Sequence, residues 1–500
     1  MWITGDQCTA DNTALSGLDK DSVTVLMIES VGRGRQIRYH KHKLVLIYSV
    51  MRHFAAELRE AGWNVHYLEE APDFATALKD YIEVSGSRNF RMMSQSEYGG
   101  NEKLMALAGP SVQFEITRHS HFISEPEEFE ALHRGDRVTM EYFYREMRRK
   151  TGLLMNGEKP EGGRWNFDKE NRKPPSRHEF FEPLRFEPDA VTGAVMAMVN
   201  RHFADHPGST GGFSLAVTRT QALARAREFM DHQLDDFGPM QDAMLAGNYY
   251  MNHSVLSPYV NTCLLHPLEL CAMAEQKYTE GKAALSSVEG FIRQLIGWRE
   301  FVWRVYWRVM PDYRKRNHLG ADLSLPEMFW TGETRMRCLA EVLKQVIETG
   351  YAHHIQRLMI LGNFSLLAGL EPEQVNDWFW AMFVDGYDWV MVPNVIGMAL
   401  HADGGYVGTK PYAASANYIG KMSDYCKGCH YKAKEIHGEN ACPFNSLYWD
   451  FLDRNRETFA GNHRMGIVLK ALAAKDPEWL ARNREQAGSI RAKLRKNTLI

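Results

Sequence analysis

Val23-Thr24-Val25-Leu26-Met27-Ile28 is a short apolar run rich in β-branched residues. It is followed by Lys41 to Ala61, in which Leu44, Ile47, Val50, Met51, Phe54, Ala55 and Leu58 recur at three- and four-residue spacing before Gly62. The first pattern is that of a buried strand, the second that of an amphipathic helix closed by a glycine. Working outward, Val65 to Leu68, Phe90 to Met93 and Val112 to Ile116 repeat the apolar phrase between polar helical stretches. A parallel sheet with crossover helices is therefore expected over residues 1–140.

Beyond it the pattern changes. Asn156 to Pro188 is rich in Gly, Pro and charge, so it buries little, and residues 141–189 read as a connector. From Ala190 on, Ser214 to Leu234, Val288 to Met310, Thr334 to Gly350 and Pro372 to Phe383 keep helical spacing with few alternating runs, which predicts a helical domain over 190–500. The expected class is α/β plus all-α, in a chain whose 500 residues exceed what one core usually fills. A content of 44% hydrophobic and 24% charged residues is that of a globular protein, and no apolar run approaches a membrane span. Met1-Trp2-Ile3-Thr4-Gly5-Asp6-Gln7 has no basic, then apolar, leader, so a cytoplasmic protein is expected. A formal charge of −3 argues against nucleic-acid coating by bulk charge but leaves room for a local basic groove.

Four features could carry chemistry. Gly32-Arg33-Gly34-Arg35-Gln36-Ile37 follows a strand as a dinucleotide fingerprint does, but Ile37 replaces its third glycine, so a plain strand-to-helix loop is the better reading. Cys426-x2-Cys429-x12-Cys442, with Gly428 between the first two, has metal-site spacing. Zinc with His430 or His437, or an iron–sulfur cluster with Cys338 as a fourth thiolate, are equally compatible. Cys8, Cys263 and Cys271 have no such pattern and read as core. In Tyr351 to Ile360, helical spacing puts His353 one turn from Arg357 on the face of Gln356, a titratable group beside a fixed cation. Finally, Trp298, Trp303, Trp307, Trp330, Trp378, Trp380 and Trp389 crowd the helical region, where such density is ordinarily core.

Gly297-Trp298-Arg299-Glu300-Phe301, Ser254-Val255-Leu256-Ser257-Pro258-Tyr259 and His353-His354-x-x-Arg357-Leu358-Met359 together resemble the photolyase and cryptochrome superfamily. The cysteine set, with Asn394-Val395-Ile396-Gly397-Met398, is similar to its bacterial iron–sulfur branch, and the likeness runs nearly end to end. The resemblance implies an N-terminal antenna domain and a helical domain holding FAD. It also implies a 4Fe-4S cluster on Cys338, Cys426, Cys429 and Cys442, and light-driven repair of the (6-4) photoproduct in UV-damaged DNA by a monomeric carbon–carbon lyase. A light-sensing cryptochrome without repair activity is the alternative.

Carried over residue by residue, the resemblance makes His353 and His354 the proton-transfer pair. It places His253, Leu256, Ser257, Arg299, Arg357, Asn363, Asp385 and Tyr387 around FAD, and Trp378 and Trp330 in the electron-transfer chain. Asp168 and Arg172 of the interdomain loop meet DNA, Tyr412 lines the lesion pocket, and Asp242 lies near the lesion or a Mg ion. A 6,7-dimethyl-8-ribityllumazine antenna would contact Asp6 and Glu29. Arg304, Arg308, Arg314, Lys315 and Arg316 are expected to form a basic rim for phosphates. Two departures stand out: Met391 replaces the usual acid beside flavin N5, and Arg33 reverses an acidic position of the antenna domain.

Overall fold

A computed structural model of the 500-residue chain describes residues 1–132, 138–176 and 180–500. Strands β1 (Trp2–Ile3), β2 (Thr24–Ser30) and β3 (Asn64–Ala71) form a parallel sheet in that order, and β4 (Asn89–Met93) pairs in parallel with β5 (Gln113–Thr117). Every strand predicted from the apolar phrases is present. β1 and β4 lie side by side without ladder bonds. The Gln7 side chain bridges that seam, donating to the carbonyls of Met93 (3.1 Å) and Ser94 (2.9 Å). Helix α1 (Lys41–Glu60) crosses from β2 to β3 and buries the predicted stripe except for half-buried Ile47.

The Gly32-Arg33-Gly34 phrase is a structural turn. A Cβ on Gly32 would lie 2.7 Å from the Pro72 carbonyl oxygen, and one on Gly34 would lie 2.7 Å from Phe203 and from Tyr48. Close packing accounts for both glycines without a nucleotide.

The helical region contains the four predicted helical segments, at Arg219–His232, Leu285–Val309, α2 (Arg337–Thr349) and α3 (Pro372–Met382). Three π-helical stretches interrupt it, at Arg293–Arg299, Arg357–Gly362 and Pro393–Ala399. Such widened turns are uncommon and re-aim side chains, often at functional sites. The two domains share one continuous core, so the N-terminal domain is no detachable module. Lys43 of α1 is buried and donates to the carbonyls of Trp380 (2.7 Å) and Gly386 across the boundary.

The connector differs from its expected loose state. Phe167 is buried and its N–H donates to Glu289, while buried Asn171 donates to the Ser286 carbonyl. Two anchors suffice to hold a Gly- and Pro-rich strand of chain against the helices, although its composition gives it little core of its own. No helix among the described residues is long and apolar enough to cross a membrane.

Candidate active site

At the centre of the helical domain, the π-helical turn that begins at Arg357 aims its guanidinium at Asp385. Both nitrogens reach the two carboxylate oxygens at 3.0 Å. Such a fork-to-fork pair is the geometry in which arginine binds most strongly. Ser257 Oγ donates to the same carboxylate at 2.6 Å, and the Phe383 ring lies 4.0 Å beneath the guanidinium. Asn363 locks the neighbouring wall by exchanging two hydrogen bonds with the Ala414 backbone (2.9 and 3.0 Å). Leu256, at the N-terminal boundary of the short helix carrying Ser257, is buried.

His353 caps the next turn rather than lying within a helix, which begins only at His354. Its ring stacks on His253 at 4.3 Å and 14°, and both its nitrogens are buried without a hydrogen-bond partner. Burial lowers its pKa, and the neighbouring His253, His354 and Arg357 lower it further. Burial takes His253 to about 4, and burial with Arg357 takes His354 to about 4. His354 nonetheless exposes much of its surface. Its electrostatic neighbour is Arg357, which links it to the Arg357–Asp385 pair.

Above the stacked histidines the chain returns through Gln241 to Asp242. Burial raises the Asp242 carboxyl to about 6, with Arg172 opposing the shift and Asp168 adding to it. Asp168 is held between Arg172 and Arg293, the latter at 3.2 Å. Tyr412 lies in the same field as Arg464, Arg172, Asp168 and Asp242. The four residues assigned to DNA and lesion thus lie within electrostatic reach of one another. The structure adds Lys410 and Arg464, which the sequence reading missed. Burial lowers the pKa of the Lys410 ammonium, Arg464 and Arg172 lower it further, and the same two arginines act on Tyr412. Their separation in sequence, 172, 410 and 464, left no run of basic residues to notice.

The basic rim placed on Arg304, Arg308 and Arg314 is overturned by their pairing. Arg304 donates to Ser124 of the N-terminal domain, Arg308 pairs with Glu130, and Arg314 is held by Asp377 and Asp388. Arg308, Lys315 and Arg316 of that set stand exposed, Arg308 engaged with Glu130. Arg299 and Tyr387 also lie apart from the Arg357–Asp385 pair. Arg299 donates to the His121 carbonyl, pairs with Glu300 and covers the Phe122 ring at 4.1 Å. Tyr387 faces Asp6, Cys263 and Glu97, and its hydroxyl is buried without a partner.

In the N-terminal domain Asp6 accepts from Ser96 (2.5 Å) and Thr4 (3.0 Å), and burial raises its pKa. Glu29 is a correction: Arg52 binds both its oxygens, and Tyr67 and the Glu70 N–H complete the shell, leaving no face for a ligand. Arg33 is neutralised by Glu97 at 2.7 Å.

Cys338, Cys426, Cys429 and Cys442 line one small cavity with Tyr425, Tyr431 and Phe444. Gly428 adopts φ +71°, the left-handed turn that the Cys426–Cys429 loop requires. Among the described residues no three His, Cys, Asp or Glu side chains converge on a single ion. Trp378 is fully buried and donates to the Phe329 carbonyl at 3.0 Å, and Trp330, next to Phe329 in the chain, is 38% exposed.

A parallel-sheet domain sharing its core with a helical domain, around an interior arginine–carboxylate pair, is the photolyase fold. A crystal structure of a bacterial class III photolyase from Agrobacterium tumefaciens matches it at a TM-score of 0.59 and 14% identity, covering 99% of this chain and 97% of that one. The family model of deoxyribodipyrimidine photo-lyase-related proteins matches residues 1–215. A (6-4) photolyase of Agrobacterium fabrum (strain C58 / ATCC 33970) is 48% identical over 472 residues, 93% of each chain. Uncharacterized protein R855 of Acanthamoeba polyphaga mimivirus is 36% identical over 107 residues, 21% of this chain and 80% of its own. The chain therefore belongs to the photolyase-related family, in its prokaryotic (6-4) branch.

Proposed function

We propose that this protein is a light-driven DNA lyase that reverses (6-4) pyrimidine–pyrimidone photoproducts. One observation carries the reading. A continuous series of groups runs from Arg357–Asp385 through His354, His353 and His253 to Asp242, Asp168 and Arg172, in a chain 48% identical to a (6-4) photolyase.

The interior residues fit FAD. Exposed His354 and the Arg357–Asp385 pair offer donors and acceptors to the polar edge of a flavin. Ser257, Leu256, His253 and Asn363 are assigned to the same cofactor, with Arg299 and Tyr387 assigned to it from the N-terminal domain's side. When bound and reduced, FAD supplies the electron that light promotes. The protein's part is to exclude water, hold the extruded lesion and move one proton. His353 and His354 are neutral in this environment because burial outweighs every other effect. An anion entering the site favours their charged form and so prepares them to donate. Met391 is buried and cannot exchange a proton, which leaves that task to the histidines.

Trp378 and exposed Trp330 are assigned to electron transfer to the surface. Asp168, Arg172 and Tyr412 are assigned to the damaged strand, with Asp242 at the lesion or a Mg ion. We assign the cysteine cavity to a 4Fe-4S cluster. Four thiols line it, and the likeness to the iron–sulfur branch favours a cluster over zinc. A ribityllumazine antenna is retained on the Asp6 side. A cytoplasmic monomer acting on UV-damaged DNA is the working state.

The test is blue-light repair by flavin-loaded protein of oligonucleotides carrying either a (6-4) photoproduct or a cyclobutane dimer. Restoration of the (6-4) substrate is expected. Failure on both lesions with FAD bound would move the protein to the photoreceptors.

A further inference from the structure

Gln356 is 1% exposed, yet its amide is fully engaged. Its carbonyl oxygen accepts the His353 N–H at 3.1 Å, and its nitrogen donates to Gln345 Oε1 (2.8 Å) and Tyr425 Oη (3.1 Å). The orientation is dictated at both ends. The His353 N–H can only donate, and Gln345 spends its own N–H on the Tyr249 carbonyl (3.0 Å), leaving its oxygen to accept. One partner on the nitrogen side lines the cysteine cavity and the other shares a helix with one of its cysteines. Tyr425 lines it and precedes Cys426, and Gln345 stands two turns along α2 from Cys338. On the other side, the His353 ring has no hydrogen bond of its own and is placed only by its backbone and by stacking on His253.

We propose that Gln356 is a positioning residue for the His353–His354 pair, and that the cysteine cavity acts on repair through Tyr425 and Gln345. This rests on the repair reading given above. A cluster bound by the four thiolates ties α2 to the 426–442 loop. That sets the separation of Gln345 and Tyr425, which sets the amide, which sets the His353 backbone. Without the amide the unanchored imidazole loses its register against a lesion, and a misplacement of about 1 Å lowers the rate without altering what binds.

The test uses holoprotein carrying Tyr425→Phe, which removes one hydroxyl, and Gln356→Leu, which removes all three bonds. Iron content and flavin absorbance verify loading, amide hydrogen exchange follows the peptide spanning 349–358, and repair is measured at saturating light against DNA affinity. Tyr425→Phe is expected to keep iron, flavin and DNA affinity, to raise exchange at the His353 amide, and to slow repair about tenfold. Gln356→Leu should slow it further at unchanged affinity. Wild-type repair with an unaltered rate in both loaded variants would overturn the proposal alone, as would unaltered exchange in Tyr425→Phe. Wild-type protein that repairs neither lesion would instead remove the reading on which it rests.

Discussion

Arg357 and Asp385 illustrate how little of a site resides in either residue alone. The pair is half-shielded, with side-chain exposures of 16% and 8%, and Ser257 and Phe383 complete its shell. Removing one member leaves the other charge without its partner in a poorly solvated place. Asp385→Ala is therefore expected to cost on the order of 3 kcal/mol and to release flavin. Thermal melting and the ratio of flavin to protein absorbance check both, and an unchanged ratio would detach the pair from the cofactor. The residues assigned to DNA make a second residue-level prediction. Lys410→Ala and Arg464→Ala should weaken binding of any DNA duplex and lower the slope of log K against log salt by about 1 each. Arg308→Ala, already spent on Glu130, should leave that slope unchanged.

At the scale of elements, the connector carries more than its composition implies. Asn171 lies buried over Gly290, where an added Cβ would come within 2.9 Å of its amide nitrogen, and it donates to the Ser286 carbonyl. Together with Phe167 it fixes the turn bearing Asp168 and Arg172. Asn171→Ala should cost about 1–2 kcal/mol, from the orphaned carbonyl and the lost packing. It should also lower DNA affinity, since the turn no longer presents its charges to one place. Urea midpoints and a binding isotherm separate the two effects.

For the molecule as a whole, acid sensitivity follows from its buried histidines. His253 and His354 are lowered to about 4, and His40 and His119 to about 3, in each case chiefly by burial. Between their unfolded values near 6.5 and these folded ones, the unfolded chain binds more protons. Stability is then complete above about pH 6.5 and declines as the pH falls toward 4. Asp242, raised to about 6, works in the opposite direction, as do Asp6, Glu57, Glu182, Glu289 and Asp388, also raised by burial, against a larger set of lowered histidines that further includes His42, His121, His206 and His353. Urea midpoints at pH 7.5 should exceed those at pH 5, and His354→Gln should flatten the difference in part.

The strands, the helical segments, the cysteine set and the double-histidine phrase were all legible in the sequence. Each is a local pattern: the spacing of apolar side chains decides which face is buried, and two cysteines three apart share one turn whatever surrounds them. Fold class and the residue types of the site follow from that. What the tertiary structure alone decided concerns charges and partners distant in the chain. Glu29 and Arg314 read as available side chains until Arg52, Tyr67, Asp377 and Asp388 were seen to close on them. Lys410 and Arg464 gained meaning only beside Arg172. A carboxylate or guanidinium has the same letter whether free or neutralised, and the difference is set by which distant group lies within about 3 Å. Local sequence order carries no record of that distance.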